Sequence, residues 1–445
     1  MSPQKEPFVV VSAHGALWFR CSRRPASAFR NVRTRVHKTA DIVLRALFSS
    51  PFDEVTLRLP RLWLARLMVL AISLLLGIVA IEALVRVAGR DRPLLWQPDP
   101  QLGWRHIPHA QLRWQEEGDG WVKINSLGFR DVERTVQKPP GTLRIAVFGD
   151  STTESVQVNV DQTFCQLLER KLRERGVRAE VMNFGVSGYG PLQSFLLYSQ
   201  RVREFAPDVV LHAVFLDNDV ADGDRRLAAG QRGAPFLKNP TQGEFEIDYS
   251  AAAASADSYA REPVHTLRNI SAVYRLMSAA RARGTNAAAV EAATADAGHV
   301  PRRFLLYEDP LEREWEDAWR TFERIVVRFS EAAKHDGARY VLLSVPAGQV
   351  VHPEVWQKLL QQYPAMSSRK WDVLSAEKRL QMLSEEHRIP LIAPLQTFVG
   401  AGAGEPLFFA QIGHLTPRGH QVMAALLERA IDEQQLLSEI SAAAR

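Results

Sequence analysis

The chain has 445 residues with 46% hydrophobic and 24% charged side chains, which is enough apolar material for a sizeable core and excludes global disorder. Its formal charge of +5 is unevenly spread: residues 1–92 hold 15 Lys and Arg against 6 Asp and Glu, whereas the remainder holds 40 against 44. The basic character therefore belongs to the N-terminal region, and no zinc-finger spacing or interleaved aromatic–basic pattern points to a nucleic-acid partner.

Residues 1–61 read as a basic tail in which 20–38 is a solvated segment suited to anionic lipid. An uncharged apolar run follows at 67–81, and the apolar residues surround the helix rather than forming one stripe. With Arg66 and Arg86 snorkelling and Trp63 at an interface, 62–88 is expected to be a single transmembrane helix, with Glu82 as its awkward residue. A cleaved signal peptide fits poorly, because about sixty residues precede the run. The eleven Lys and Arg of residues 1–61 favour a cytoplasmic N-terminus and a periplasmic or extracellular main body. Cys21 and Cys165 lie on opposite sides of this run, so no disulfide framework is expected, and Cys165 reads as a small buried apolar residue.

A Pro-containing linker and approach segment occupies 89–140. From 141 to 435 the pattern alternates: strand 144–148, helix 162–175, strand 179–183, helix 192–204 and strand 209–215. It continues with helix 312–334, strand 340–345, a weaker strand at 389–392 and a closing helix at 417–433. Such alternation predicts a parallel sheet covered on both faces, with ligands at the carboxyl ends of the strands. An insertion at 221–302, partly rich in small residues, reads either as a lid or substrate wall or as a mobile excursion.

The residues that carry chemistry fall at those strand ends. Ser151, in Arg144-Ile-Ala-Val-Phe-Gly-Asp-Ser-Thr, sits where a Gly-Asp turn would expose its hydroxyl at the sheet edge. Taken alone, the turn reads equally well as a helix N-cap. Asn183-Phe-Gly-Val-Ser-Gly-Tyr-Gly190 follows the second strand, and Leu216-Asp-Asn-Asp219 follows the third. The Gly188 amide, the Asn218 side chain and the Ser151 amide are candidate donors to an oxyanion. His414, in His414-Leu-Thr-Pro-Arg-Gly419, precedes the closing helix as a candidate general base.

These four blocks, in this order, resemble the SGNH/GDSL hydrolase family over residues about 100–430. Leu102-Gly-Trp-Arg-His-Ile-Pro and Asn125-Ser-Leu-Gly-Phe-Arg-Asp131 look like the approach segment of membrane-anchored bacterial members. The resemblance implies a three-layer α/β/α, flavodoxin-like sandwich without metal or other cofactor. It also implies Ser151 as nucleophile, Gly188 and Asn218 as oxyanion donors and His414 as base. One departure stands out: the family pattern has an acid two or three residues before the histidine, where this chain has Ile412 and Gln411. Three readings remain open. Gln411 or a backbone carbonyl orients His414 in a dyad; another carboxylate such as Glu405 substitutes; or the site is weak or dead.

Other residues carry plainer readings. His420 is expected on a helix surface and His352 on an ordinary loop. Asp217 and Asp219 would shape the Asn218 loop, and Trp315, Trp319, Trp356 and Trp371 are packing residues before they are a sugar platform. The function expected is a membrane-anchored serine esterase or O-acyl, including O-acetyl, transferase acting on acyl esters, with cell-envelope glycans as one substrate class. The rival is a catalytically inactive glycan-binding or scaffold protein of the envelope. A nucleotide-binding reading fails because the first strand–helix turn lacks a phosphate-cradling glycine pattern.

Overall fold

The computed structural model describes residues 61–433 except 89–90, 92, 229–232, 263, 279, 282–299, 403 and 411–412. The basic tail and Gln411 thus lie outside the described residues. By its contacts the chain divides after Gly77, and Ile78–Arg445 forms the main unit. Arg61–Val87 is one helix, and its Trp63–Val87 portion is long and apolar enough to cross a membrane.

The approach segment is more than a linker. It forms two antiparallel ribbons, β1 (Trp96–Asp99) with β2 (Gly103–His106) and β3 (Gln111–Trp114) with β4 (Gly120–Lys123). The main sheet then assembles from β5 (Leu143–Phe148), β6 (Ala179–Asn183) and β7 (Val209–Phe215). The insertion adds the short ribbon of β8 (Phe236–Leu237) and β9 (Ile247–Asp248), after which β10 (Arg339–Val345) and β11 (Leu391–Ile392) complete the sheet. Its order is β11-β10-β7-β5-β6, with every pairing parallel.

The strands are buried on both faces, as their continuous apolar runs require. Ala146, Phe148, Met182, Val210, Val214, Tyr340 and Leu342 enter one core with the helices Pro191–Gln200 and Arg313–His335. The alternate residues Ile145, Val147, Val181, Leu211, Val341 and Leu343 enter the other, with Phe164–Glu174 and Pro417–Glu433. The two-residue periodicity of a strand thus sorts side chains into two cores and produces the α/β/α sandwich expected from the sequence. Trp315, Trp319 and Trp356 are buried in the first core, with Trp371 packed against it. Cys165 is buried and free, as expected.

Element bounds shift in one informative place. The helix expected over 192–204 ends at Gln200, and Val202–Phe205 tightens into a 3-10 turn closed by Ala206 in the left-handed region. The described part of the insertion contributes β8, β9 and the helices Ser250–Arg261 and His265–Ile270. Ser250–Arg261 packs against β1 and β2, so this part buttresses the approach segment.

Candidate functional site

Because β5 lies between β6 and β7, the loops leaving these three strands are neighbours at one edge of the sheet. That edge holds Ser151, Gly188 and Asn218. Ser151 opens the short helix Ser151–Glu154, whose N-cap, Asp150, accepts from the Thr152 amide at 2.9 Å and from its hydroxyl at 2.7 Å. Ser155, at φ 59°, ends the helix after one turn. The serine is half-buried at the start of this turn.

His414 reaches it from the loop before the closing helix. The Ser151 hydroxyl and His414 Nε2 are 2.8 Å apart, hydrogen-bond distance for proton transfer. The other ring nitrogen, Nδ1, donates to the Glu117 carboxylate, whose second oxygen accepts from the Gly413 amide at 3.0 Å. Glu117 is only 2% exposed. The position expected for a Gln411 side chain or a backbone carbonyl is therefore filled by a carboxylate. Glu405, the alternative named from sequence, is solvent-exposed. This carboxylate comes from the β3–β4 turn, in a segment that the sequence identified only as an approach.

The hairpin tip is fitted to the loop that follows Ser151. Gly118 has φ +70°, and a Cβ there would lie 2.4 Å from the Gln157 carbonyl oxygen. At Gly120 a Cβ would lie 2.2 Å from the Val156 carbonyl oxygen. Only glycine lets these backbones approach so closely. The Asp119 amide donates to the Gln157 carbonyl at 3.1 Å, and the Trp121 amide to Asn159 Oδ1 at 2.9 Å. Glu117 is thus registered on the segment that follows Ser151, which sets the spacing of the three polar groups.

From beneath, the buried Arg130 guanidinium donates to the carbonyls of Glu154, at 3.2 Å, and Val158. Burial outweighs the nearby carboxylates and lowers its pKa to about 10. Asn125 holds the turn that delivers Arg130, its Oδ1 accepting from the amides of Leu127 at 3.1 Å and Phe129 at 2.9 Å.

A second carboxylate–histidine pair supports the Gly188 loop. Glu154 is fully buried; its Oε1 accepts from His106 Nε2 at 2.6 Å, while His106 Nδ1 faces the Gly128 carbonyl at 3.2 Å. Glu154 Oε2 accepts from the Ser187 amide at 2.6 Å and from the Ser187 hydroxyl. Burial by itself would raise this carboxyl, but the His106 charge and the hydrogen bonds from His106 and Ser187 hold it below its ordinary value. Gly188 follows in the left-handed region at φ +76°, beneath the Trp104 ring, whose Nε1 donates to the Ser187 carbonyl at 2.9 Å.

Asn218 lies at the same edge, but its amide is already engaged. Nδ2 donates to Asp150 at 3.1 Å and Asp222 at 3.0 Å, and its buried Oδ1 has no hydrogen-bond partner among the described residues. To serve an oxyanion, the amide must exchange one of those carboxylates for it. Burial raises the Asp150 carboxyl and raises that of Asp219 more strongly. Asp219 accepts from the Phe215 amide at 2.8 Å, and Asp217 from Tyr307 at 2.5 Å and Gln349 at 2.7 Å, so both shape the loop around Asn218.

His420 departs from expectation. It is buried rather than on a helix surface, stacked on Phe164 with its Nδ1 accepting from the Phe164 amide at 3.2 Å, and burial lowers its pKa to about 3. It packs between the closing helix and Phe164–Glu174. His352 keeps its loop role, edge-on to Phe408.

No family model and no curated protein matches the chain. Among solved structures it is similar to the one titled TesA, at 11% identity and TM-score 0.34, covering 65% of this chain and 97% of that one. It is also similar to an acetyl xylan esterase, at 12% identity and TM-score 0.35, covering 65% and 100%. A lipase/acylhydrolase from Enterococcus faecalis follows at 14% identity and TM-score 0.34, covering 66% and 96%.

Proposed function

We propose that the protein is a membrane-anchored serine ester hydrolase or O-acyl transferase of the SGNH kind, with Ser151, His414 and Glu117 as its triad. The observation that carries this reading is the chain of contacts from Ser151 Oγ to His414 Nε2 at 2.8 Å and from His414 Nδ1 to the buried Glu117. His414 takes the Ser151 proton as Oγ attacks an ester carbonyl, and the tetrahedral oxyanion draws on the amides of Ser151 and Gly188 and, as its amide releases Asp150 or Asp222, on Asn218. Collapse breaks the bond to the alkoxy group, which leaves as an alcohol with the proton from His414. The acyl group remains on Ser151. Water, or a hydroxyl acceptor in the transferase case, then attacks with His414 again taking the proton, and Ser151 is regenerated. Glu117 keeps Nδ1 protonated and stabilises the imidazolium.

The inactive-scaffold alternative drew its support from the missing acid at 411 and 412, and Glu117 removes that support. An acyl ester on an envelope glycan suits a body held outside the membrane by the Trp63–Val87 helix with the basic tail inside. Hydrolysis of p-nitrophenyl acetate by the full chain in detergent tests the reading: turnover is expected, with its loss in Ser151→Ala. Equal turnover in the two proteins would overturn it.

A further inference from the structure

The membrane-crossing helix holds one acidic residue, Glu82, and its partners point to a second lipid contact. Glu82 lies five residues before the end of the Trp63–Val87 span. At about 1.5 Å per residue, that span exceeds a hydrocarbon core of about 30 Å by a few ångströms at each end, which puts Glu82 about one turn from the boundary. There its carboxylate accepts from the Ser271 hydroxyl at 3.0 Å, from the Val273 amide at 3.2 Å and from the Ala272 amide, and it pairs with Arg86 at 2.7 Å. Arg86 in turn donates to the Ile270 carbonyl at 2.8 Å. Just beyond the span, Asp91 accepts three hydrogen bonds from Arg275, at 2.7, 2.8 and 2.9 Å, and Arg275 Nη1 holds the carbonyls of Arg268 and Asn269.

These bonds fix residues 268–275 of the insertion at the depth of residues 82–91. A polar group this close to hydrocarbon is costly unless it is partnered, and each partner of Glu82 comes from this one stretch or from the next turn of its own helix. Three apolar side chains of the stretch are exposed: Leu267 at 46%, Ile270 at 61% and Met277 at 67%. Leu267 and Ile270 stand three residues apart on the His265–Ile270 helix, which places them on one face. The Ile270 carbonyl is tied to Arg86, so this face stands beside the last turn of the crossing helix, where Leu84 and Val87 are exposed as well.

We infer that the insertion segment around 267–277 lies in the bilayer interface, with Leu267, Ile270 and Met277 among the acyl chains, so that the body is held to the membrane at two points. The occupant of this face is lipid, because the face begins at the depth where the crossing helix leaves hydrocarbon. The inference rests on the membrane-crossing reading, and the experiment separates the two. In a Cys21→Ser background, nitroxide labels are placed by Leu75→Cys, Leu267→Cys, Ile270→Cys and Met382→Cys, and the full chain is reconstituted in phosphatidylcholine–phosphatidylglycerol vesicles. Accessibility to oxygen is then compared with accessibility to a water-soluble nickel chelate. Labels at 75, 267 and 270 are expected to favour oxygen, and the label at the exposed Met382 to favour the chelate. An oxygen preference at 75 with a chelate preference at both 267 and 270 would overturn the interfacial contact and leave the crossing helix standing. A chelate preference at 75 would remove the crossing itself, and the inference with it.

Discussion

The Glu117 carboxylate on the β3–β4 turn holds His414 Nδ1 across 297 positions of sequence, while the opposite ring nitrogen faces Ser151. The pattern of the family that the sequence resembles has its acid two or three residues before the histidine, on the same loop. Here Glu117 and His414 sit on separate loops, and both are fixed against the segment that begins with Ser151: the hairpin through Gln157 and Asn159, the histidine through Ser151 itself.

If this arrangement runs the chemistry, Glu117→Gln preserves shape but removes the charge that stabilises the imidazolium. Turnover is expected to fall by as much as about 10⁴-fold, as for loss of the acid in other serine triads. Steady-state hydrolysis of p-nitrophenyl acetate checks it. A loss below twofold would mean that Glu117 does not serve His414 in the reaction.

The hairpin glycines make a separate prediction about stability. Gly118→Ala forces a Cβ onto the Gln157 carbonyl in a left-handed conformation, so the tip must retreat and take Glu117 with it. A stability loss of about 1–3 kcal/mol is expected together with reduced turnover. Urea titration followed by circular dichroism measures the first. Unchanged stability and activity would show that the tip is not held as tightly as the contacts imply.

Glu154 acts through Ser187 and is a positioning residue. Glu154→Gln weakens its grip on the Ser187 amide and hydroxyl and on His106. A misplaced Gly188 amide then costs roughly 10²-fold in kcat, because an oxyanion donor displaced by an ångström loses most of its value. KM is expected to change little, which distinguishes this from general damage to the site. A change confined to thermal stability, with kcat intact, would reduce Glu154 to a structural role.

Two buried histidines contribute to the acid limb of stability. His212, beside the Tyr340 hydroxyl, and His420 each have their pKa lowered to about 3 by burial. Below the unfolded value near 6.5 the unfolded chain binds protons that the native chain refuses, so stability falls as pH drops from about 6.5 toward 3. Each histidine contributes a slope of about 1.4 kcal/mol per pH unit once well below 6.5. Urea midpoints measured at pH 7, 6 and 5 should decline, and more gently in His420→Gln. A decline of equal steepness in that variant would show that His420 does not bear this load.

The fold was legible because its strands are short apolar runs between turn residues, and periodicity alone separates 144–148, 179–183 and 209–215 from the helices around them. Ser151, Gly188, Asn218 and His414 were legible because each lies beside such an element, where local sequence fixes its place. Glu117 was not. It stands in an acidic, glycine-rich turn within the stretch read only as linker and approach segment, and its burial depends on two glycines meeting the carbonyls of Val156 and Gln157. The signal was there in the spacing Glu117-Gly118-Asp119-Gly120, but its meaning was tertiary. His420 was misread for a similar reason: helical spacing gives a face, and only the packing of Phe164 shows that this face is inward. Asn218 adds a correction of another kind, since its position was foreseen but not the carboxylates that already occupy its amide.

The most direct test of the account is covalent labelling of the full chain by a fluorophosphonate, read by intact-protein mass spectrometry with peptide mapping. One adduct per chain, located on Ser151, absent from Ser151→Ala and formed far more slowly in Glu117→Gln, is the predicted result. Failure of the folded protein to label, or labelling that persists unchanged in Ser151→Ala, would contradict the assignment of Ser151 as an activated nucleophile.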